Sequence, residues 1–172
     1  MKNDWLNDYQ EFIESEKVEV PVAVQTTTLF KIKTMLNPGA LIVFLKVLAI
    51  HMVIGFLSLS VCHQFGMNPF NTERSLDNYM MSFGGHYFCM FGCGVLFVSL
   101  SLLSAGYFLT IEEVKALRRT EVLQILVLGM ISLSLFMVFG VELAAGIAAI
   151  WLLGALLGGL ITTESMWRFK QV

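Results

Sequence analysis

Long uncharged apolar runs dominate this chain and leave few folds open to it. From His86 to Leu109 there is no Asp, Glu, Lys or Arg, and Ala40 to Cys62 is interrupted only by Lys46. From Val122 to Thr163 the one such residue is Glu142. About 20 apolar residues in a helix cross roughly 30 Å of hydrocarbon, and inside lipid only helices and closed barrels satisfy their own backbone polar groups. The last run is twice the length of a single span. It therefore reads as two helices joined by a tight turn near Gly140-Val141-Glu142, with Glu142 at the surface, because a carboxylate at the bilayer centre costs about 2.5–3.5 kcal/mol. The expected fold is an all-α membrane protein. Four transmembrane helices, over about 40–62, 86–109, 122–141 and 143–163, make one domain from 40 to 172. A soluble fold of 172 residues with 56% hydrophobic and 14% charged residues would have nowhere to bury its apolar surface.

Basic residues set the expected orientation, since Lys and Arg accumulate on the cytoplasmic side. Lys31 and Lys33 precede the first span, and Lys46 can snorkel back toward them. Lys115, Arg118 and Arg119 lie between the second and third spans, and Arg168 and Lys170 follow the fourth. The loop from His63 to Gly85 contains only Arg74. Both termini are therefore expected in the cytoplasm. Thr110-Ile111-Glu112-Glu113 is a capping-box pattern that starts a short helix in the cytoplasmic linker. Gly154 with Gly158, and Ala144 with Ala148, form small-xxx-small pairs suited to close helix packing. A net charge of −2 argues against direct nucleic-acid binding.

Residues 1–39 form a cytoplasmic arm, polar and acidic, with no apolar stretch behind a basic start, so no cleaved leader is expected. Trp5, Tyr9, Phe12 and Ile13 share one helical face, with Asp4, Asp8, Glu11 and Glu14 at the other positions. Pro21 suits the first turn of a second helix, whose stripe is Val22, Leu29, Ile32 and Leu36 and which ends at Asn37-Pro38-Gly39. Helices this short are marginal alone, so their apolar faces call for a partner. The first 20 residues carry six acids against two lysines, which anionic headgroups repel. A basic-rimmed protein groove fits better than the bilayer surface.

The Asp4-Trp5-Leu6 start, the Tyr9/Phe12/Ile13 face and the Val20-Pro21 entry into the Val22/Leu29/Ile32 face resemble the minimal sigma-binding segment of membrane-bound bacterial anti-sigma factors. In that family two short amphipathic helices wrap a sigma factor and hold it from RNA polymerase. The resemblance covers about a fifth of the chain. It implies a bacterial inner-membrane regulator whose partner is a sigma factor, with Trp5, Leu6, Tyr9, Phe12, Ile13, Val22, Leu29 and Ile32 as the binding residues. Many such proteins have one span, so four suggest a task for the membrane part.

That task is sought where the first span ends and the second begins. Cys62 and His63 close one, and His86, Cys89 and Cys93 open the other at i, i+3 and i+7, on one helix face. Cys62, His63, His86 and Cys89 make a chemically sensible zinc or copper set, with Cys93 and His51 in second rank. A Cys62–Cys89 disulfide is the alternative in an oxidising compartment. His51, at mid-membrane, suits a haem ligand, a proton relay or a hydrogen bond to a neighbouring helix. Met52, Met67, Met80, Met81 and Met90 lie near the same level and suit copper, though Met is also ordinary filler. Leu76, Tyr79, Met80 and Phe83 recur at helical spacing, consistent with a helix lying on the outer surface. No hydrolytic enzyme is expected, because Ser58, Ser60, Ser99 and Ser101 lie on span faces without base and acid partners. Two other readings stand beside the regulator: a metal- or haem-binding protein of electron transfer or metal handling, and an accessory subunit of a larger membrane complex.

Overall fold

A computed structural model of the chain describes residues 8–11, 14, 21–73 and 75–171. The helices are α1 (Val22–Leu36), α2 (Ala40–Ser58), α3 (Leu76–Phe108), α4 (Ile111–Arg119), α5 (Glu121–Val138) and α6 (Ala145–Gln171), with a 3-10 turn at Gln64–Gly66. Four of these, α2, α3, α5 and α6, are long and apolar enough to cross a membrane. The chain divides into two compact units between Met35 and Leu36.

In the second unit the expected spans are all present, with shifted ends. The first helix stops at Ser58, four residues short, because the chain turns inward through Cys62. The fourth runs on to Gln171 as one helix of 27 residues. The hairpin falls where expected, with Gly140 at φ 89° and Glu142 exposed. Leu76–Phe108 contains a break at Gly85 (φ 75°, ψ −174°), a conformation open only to glycine, which separates the expected outer helix from the second span.

Small residues set the tightest interface, between α3 and α6. A Cβ at Gly154 would lie 2.1 Å from the Phe91 carbonyl oxygen, one at Gly158 2.9 Å from Val95 Cα, and one at Gly94 2.2 Å from the Trp151 carbonyl oxygen. Gly154 and Gly158 are therefore used inside this chain, letting two spans approach backbone to backbone. Val98, Leu102, Ile125, Leu128 and Trp151 fill the core. Leu41, Leu45, Val53, Phe56, Leu103, Val122, Leu153 and Ile161 stay exposed on the flanks of the spans, as lipid-facing residues would.

One end of the bundle is tied by charge. Thr110 and Glu113 form the capping box: Glu113 N–H donates to Thr110 Oγ1 at 3.3 Å, and Thr110 N–H to Glu113 Oε2 at 2.9 Å. The Lys46 ammonium donates to the other Glu113 oxygen, so Lys46 finds its partner on α4. Arg118 pairs with Glu164 at 2.7 Å and lies over the Trp167 ring, 5.5 Å from its centroid. Lys170 Nζ donates to the Leu109 carbonyl at the end of α3.

In the first unit, α1 forms after Pro21 and stops before Asn37-Pro38-Gly39. Val22, Leu29, Ile32 and Leu36 fall within one arc, but Val24, Phe30 and Met35 lie off it, so the helix is apolar on more than one side. None of its residues is buried.

Candidate functional site

At the end of the bundle opposite the charged one, the connection from α2 to α3 folds into the mouth between the spans. Asn68 closes a turn on Thr72, with Thr72 N–H donating to Asn68 Oδ1 at 3.0 Å and Asn68 Nδ2 donating to the Thr72 carbonyl at 2.9 Å. The His63 backbone N–H donates to Ser75 Oγ, and Leu76 N–H to the Val61 carbonyl. These bonds drive Gln64 inward, and it is 1% exposed. Its side-chain oxygen accepts the Trp151 indole N–H at 2.8 Å, and its amide nitrogen reaches the Cys93 carbonyl at 3.4 Å. Phe65, at φ 53°, stacks its ring 5.4 Å from Phe136 and 6.1 Å from Trp151. The segment is a plug, seated on three spans. Gln64 carries no sequence signal beyond its place after Cys62-His63.

The plug carries Cys62 to the second span, where all three cysteines meet. Cys62 Sγ lies 2.8 Å from Cys93 Sγ, and Cys89 Sγ lies 4.0 Å from Cys93 Sγ. Cys89 also points its thiol at the Asp77 carbonyl, 3.6 Å away. All three are buried free thiols. The thiol facing Cys62 is thus Cys93, not the expected Cys89.

The expected Cys62/His63/His86/Cys89 metal set is not assembled. His63 Nε2 is spent on Thr72 Oγ1 at 2.7 Å. His86 shares a helix face with Cys89 and Cys93, but it sits in the first turn after Gly85 and is exposed, edge-on to Tyr87. His63 and His86 line one recess with Asp77, Met67, Met81 and Met90. Among the described residues, no three His, Cys, Asp or Glu side chains are placed to hold a metal ion.

His51 is joined to both neighbouring spans. Its Nδ1 lies 2.7 Å from Ser101 Oγ on α3, and its Nε2 lies 2.8 Å from Ser132 Oγ on α5. The Phe97 ring packs edge-on at 5.2 Å. Both nitrogens are hydrogen-bonded in this structure, the arrangement expected of an interhelical hydrogen bond. A neutral imidazole has one N–H and one lone pair, so one serine accepts from it while the other donates to it. His51 and Ser132 also face an apolar cavity of about 390 Å³, walled by Phe56, Phe97, Phe136 and Phe139.

Of the arm residues, Tyr9 lies in the helical stretch 8–11 and is exposed. Val22, Leu29 and Ile32 are 74%, 58% and 46% exposed. Trp5, Leu6, Phe12 and Ile13 lie outside the described residues. Comparison with protein-family models, with curated proteins and with solved structures found no match.

Proposed function

We propose that the chain is a membrane-anchored regulator of transcription whose N-terminal arm sequesters a sigma factor, with the bundle holding the arm at the inner membrane of a bacterium. The observation that carries this reading is helix α1. Fifteen residues form a helix with Val22, Leu29, Phe30, Ile32 and Met35 all about half exposed or more, and no residue of it is buried. Apolar surface of that extent costs about 25 cal/mol per Å² in water and is kept where a partner covers it. The acidic residues before Pro21 favour a basic groove over an anionic bilayer. Both termini are cytoplasmic in this reading, because Lys46, Lys115, Arg118, Arg119, Arg168 and Lys170 gather at one end of the bundle.

The membrane domain supplies the input. Its thiol cluster, at the end away from the basic residues, favours a redox signal over a metal one, since among the described residues no three His, Cys, Asp or Glu side chains are placed to hold a metal ion.

The test is co-purification of the full chain from its native membranes, in parallel with a Leu29→Asp/Ile32→Asp variant. The expected result is a sigma factor recovered with the first and lost with the second. Recovery of no sigma factor with an intact arm overturns the proposal.

A further inference from the structure

We infer that Cys62 and Cys93 are a reversible redox pair, which a hydroperoxide closes into a disulfide that fastens the plug to the second span. Three features of the fold lead to this. First, the two residues are 31 positions apart, yet their sulfurs lie 2.8 Å from each other, so no large backbone movement separates the thiols from a bond. Second, the chain spends several hydrogen bonds on bringing Cys62 there: Cys62 N–H to Ser58, His63 N–H to Ser75, and Gln64 to Trp151 and Cys93. Third, the remaining cysteine is held apart by its own contact with the Asp77 carbonyl, which leaves Cys93 as the partner of Cys62.

The reagent class follows from burial. Cys62 is 4% exposed and Cys93 is not exposed at all, so a bulky aqueous disulfide such as oxidised glutathione is kept out, whereas hydrogen peroxide, the smallest hydroperoxide, is little larger than water. Cys62 is the thiol nearer the surface and reacts first. Its sulfur gives two electrons to the O–O bond of hydrogen peroxide, which breaks. One oxygen stays on sulfur as a sulfenic acid and the other leaves as water. Cys93 sulfur then displaces the sulfenic hydroxyl, the S–S bond forms, and a second water leaves with the Cys93 proton. A dithiol reductant reverses the product to two thiols.

The bond ties the connection after α2 to α3 at the point where Gln64 already holds α6. In the reduced protein, among the described residues, hydrogen bonds and apolar packing hold the plug. Both cysteines lie in the second unit, away from the arm's sequence, and their pairing is read out separately from any arm partner.

The experiment is disulfide mapping of the full chain in lipid nanodiscs, treated with hydrogen peroxide and then alkylated with N-ethylmaleimide under denaturing conditions. The expected result is a Cys62–Cys93 linked peptide that goes from absent to dominant, with Cys89 alkylated, and that is lost after dithiothreitol. Cys89→Ser retains the link, and Cys93→Ser abolishes it. Three free alkylated thiols after peroxide, a Cys62–Cys89 or Cys89–Cys93 link instead, or only irreversible sulfinic and sulfonic acids would each overturn the inference. The wild-type peptide map decides the matter even where a variant fails to fold.

Discussion

The indole N–H of Trp151 in the fourth span donates to the Gln64 side-chain oxygen at 2.8 Å, with both residues at 1% exposure or less. This bond is one of several that seat the plug, and it is the one that reaches the fourth span. Trp151→Phe keeps an aromatic ring against Phe65, Phe97 and Phe136 but strands the Gln64 oxygen in apolar surroundings. A loss of about 1–3 kcal/mol is expected, read as a lower thermal midpoint in detergent. An unchanged midpoint would mean that the plug is held by other contacts.

Gly154→Ala is expected to destabilise the bundle by about 1–3 kcal/mol, through overpacking against the Phe91 carbonyl. Gly146→Ala is the control, because nothing lies within 4 Å of the added methyl there. Paired thermal unfolding of the two variants checks the claim. Equal midpoints would show that the second and fourth spans can separate freely.

His51 couples two substitutions on different spans. Ser101→Ala and Ser132→Ala each leave one imidazole nitrogen unpaired, at about 1–3 kcal/mol. Because they share that imidazole, their effects are expected to be non-additive by about 0.5–3 kcal/mol in a double-mutant cycle. Strict additivity would mean that the two hydrogen bonds act separately.

Acid should loosen the charged end of the bundle. Burial raises the Glu113 pKa, but bonds from Lys46 and Thr110 and the Lys46 charge outweigh it, so the carboxyl ends below its usual range. A depressed carboxylate contributes stability above its unfolded pKa of about 4.3. That contribution is lost as pH falls through the lower folded value. Lys46→Met removes the cation and leaves burial opposed by the Thr110 bonds alone, so the rise of thermal midpoint with pH between about 3 and 5 should flatten. A variant with the same pH slope as the wild type would place the dependence on another group.

The spans, the hairpin at Gly140 and the Thr110–Glu113 cap were legible because each depends on local pattern: unbroken apolar length, a turn glycine and a four-residue cap. Lys46 was legible as a charge needing an exit, but its partner on α4 was not, since that pairing depends on two helices meeting. The cysteine–histidine region was read by spacing along one helix, which placed His86 with Cys89 and Cys93. Spacing could not show that Gly85 breaks the helix beside His86, nor that Asn68 and Thr72 would turn the loop inward and deliver Gln64. The stripe of α1 was legible in its positions. Phe30, Val24 and Met35 lie off that stripe, and their exposure follows only from the folded helix having no neighbour among the described residues to cover them.

Helix α6 is one uninterrupted element of 27 residues, about 40 Å long at 1.5 Å per residue. Trp151 lies about a quarter of the way along, Glu164 about three quarters, and Lys170 at the far tip. A rigid rod of that length works as a lever. A tilt of about 5° around its middle swings each tip by roughly 2 Å, in opposite directions. That displacement is comparable to the helix shifts that switch many subunit interfaces. The same tilt would move the levels of Trp151 and Glu164, each about 10 Å from the middle, by roughly 1 Å in opposite directions.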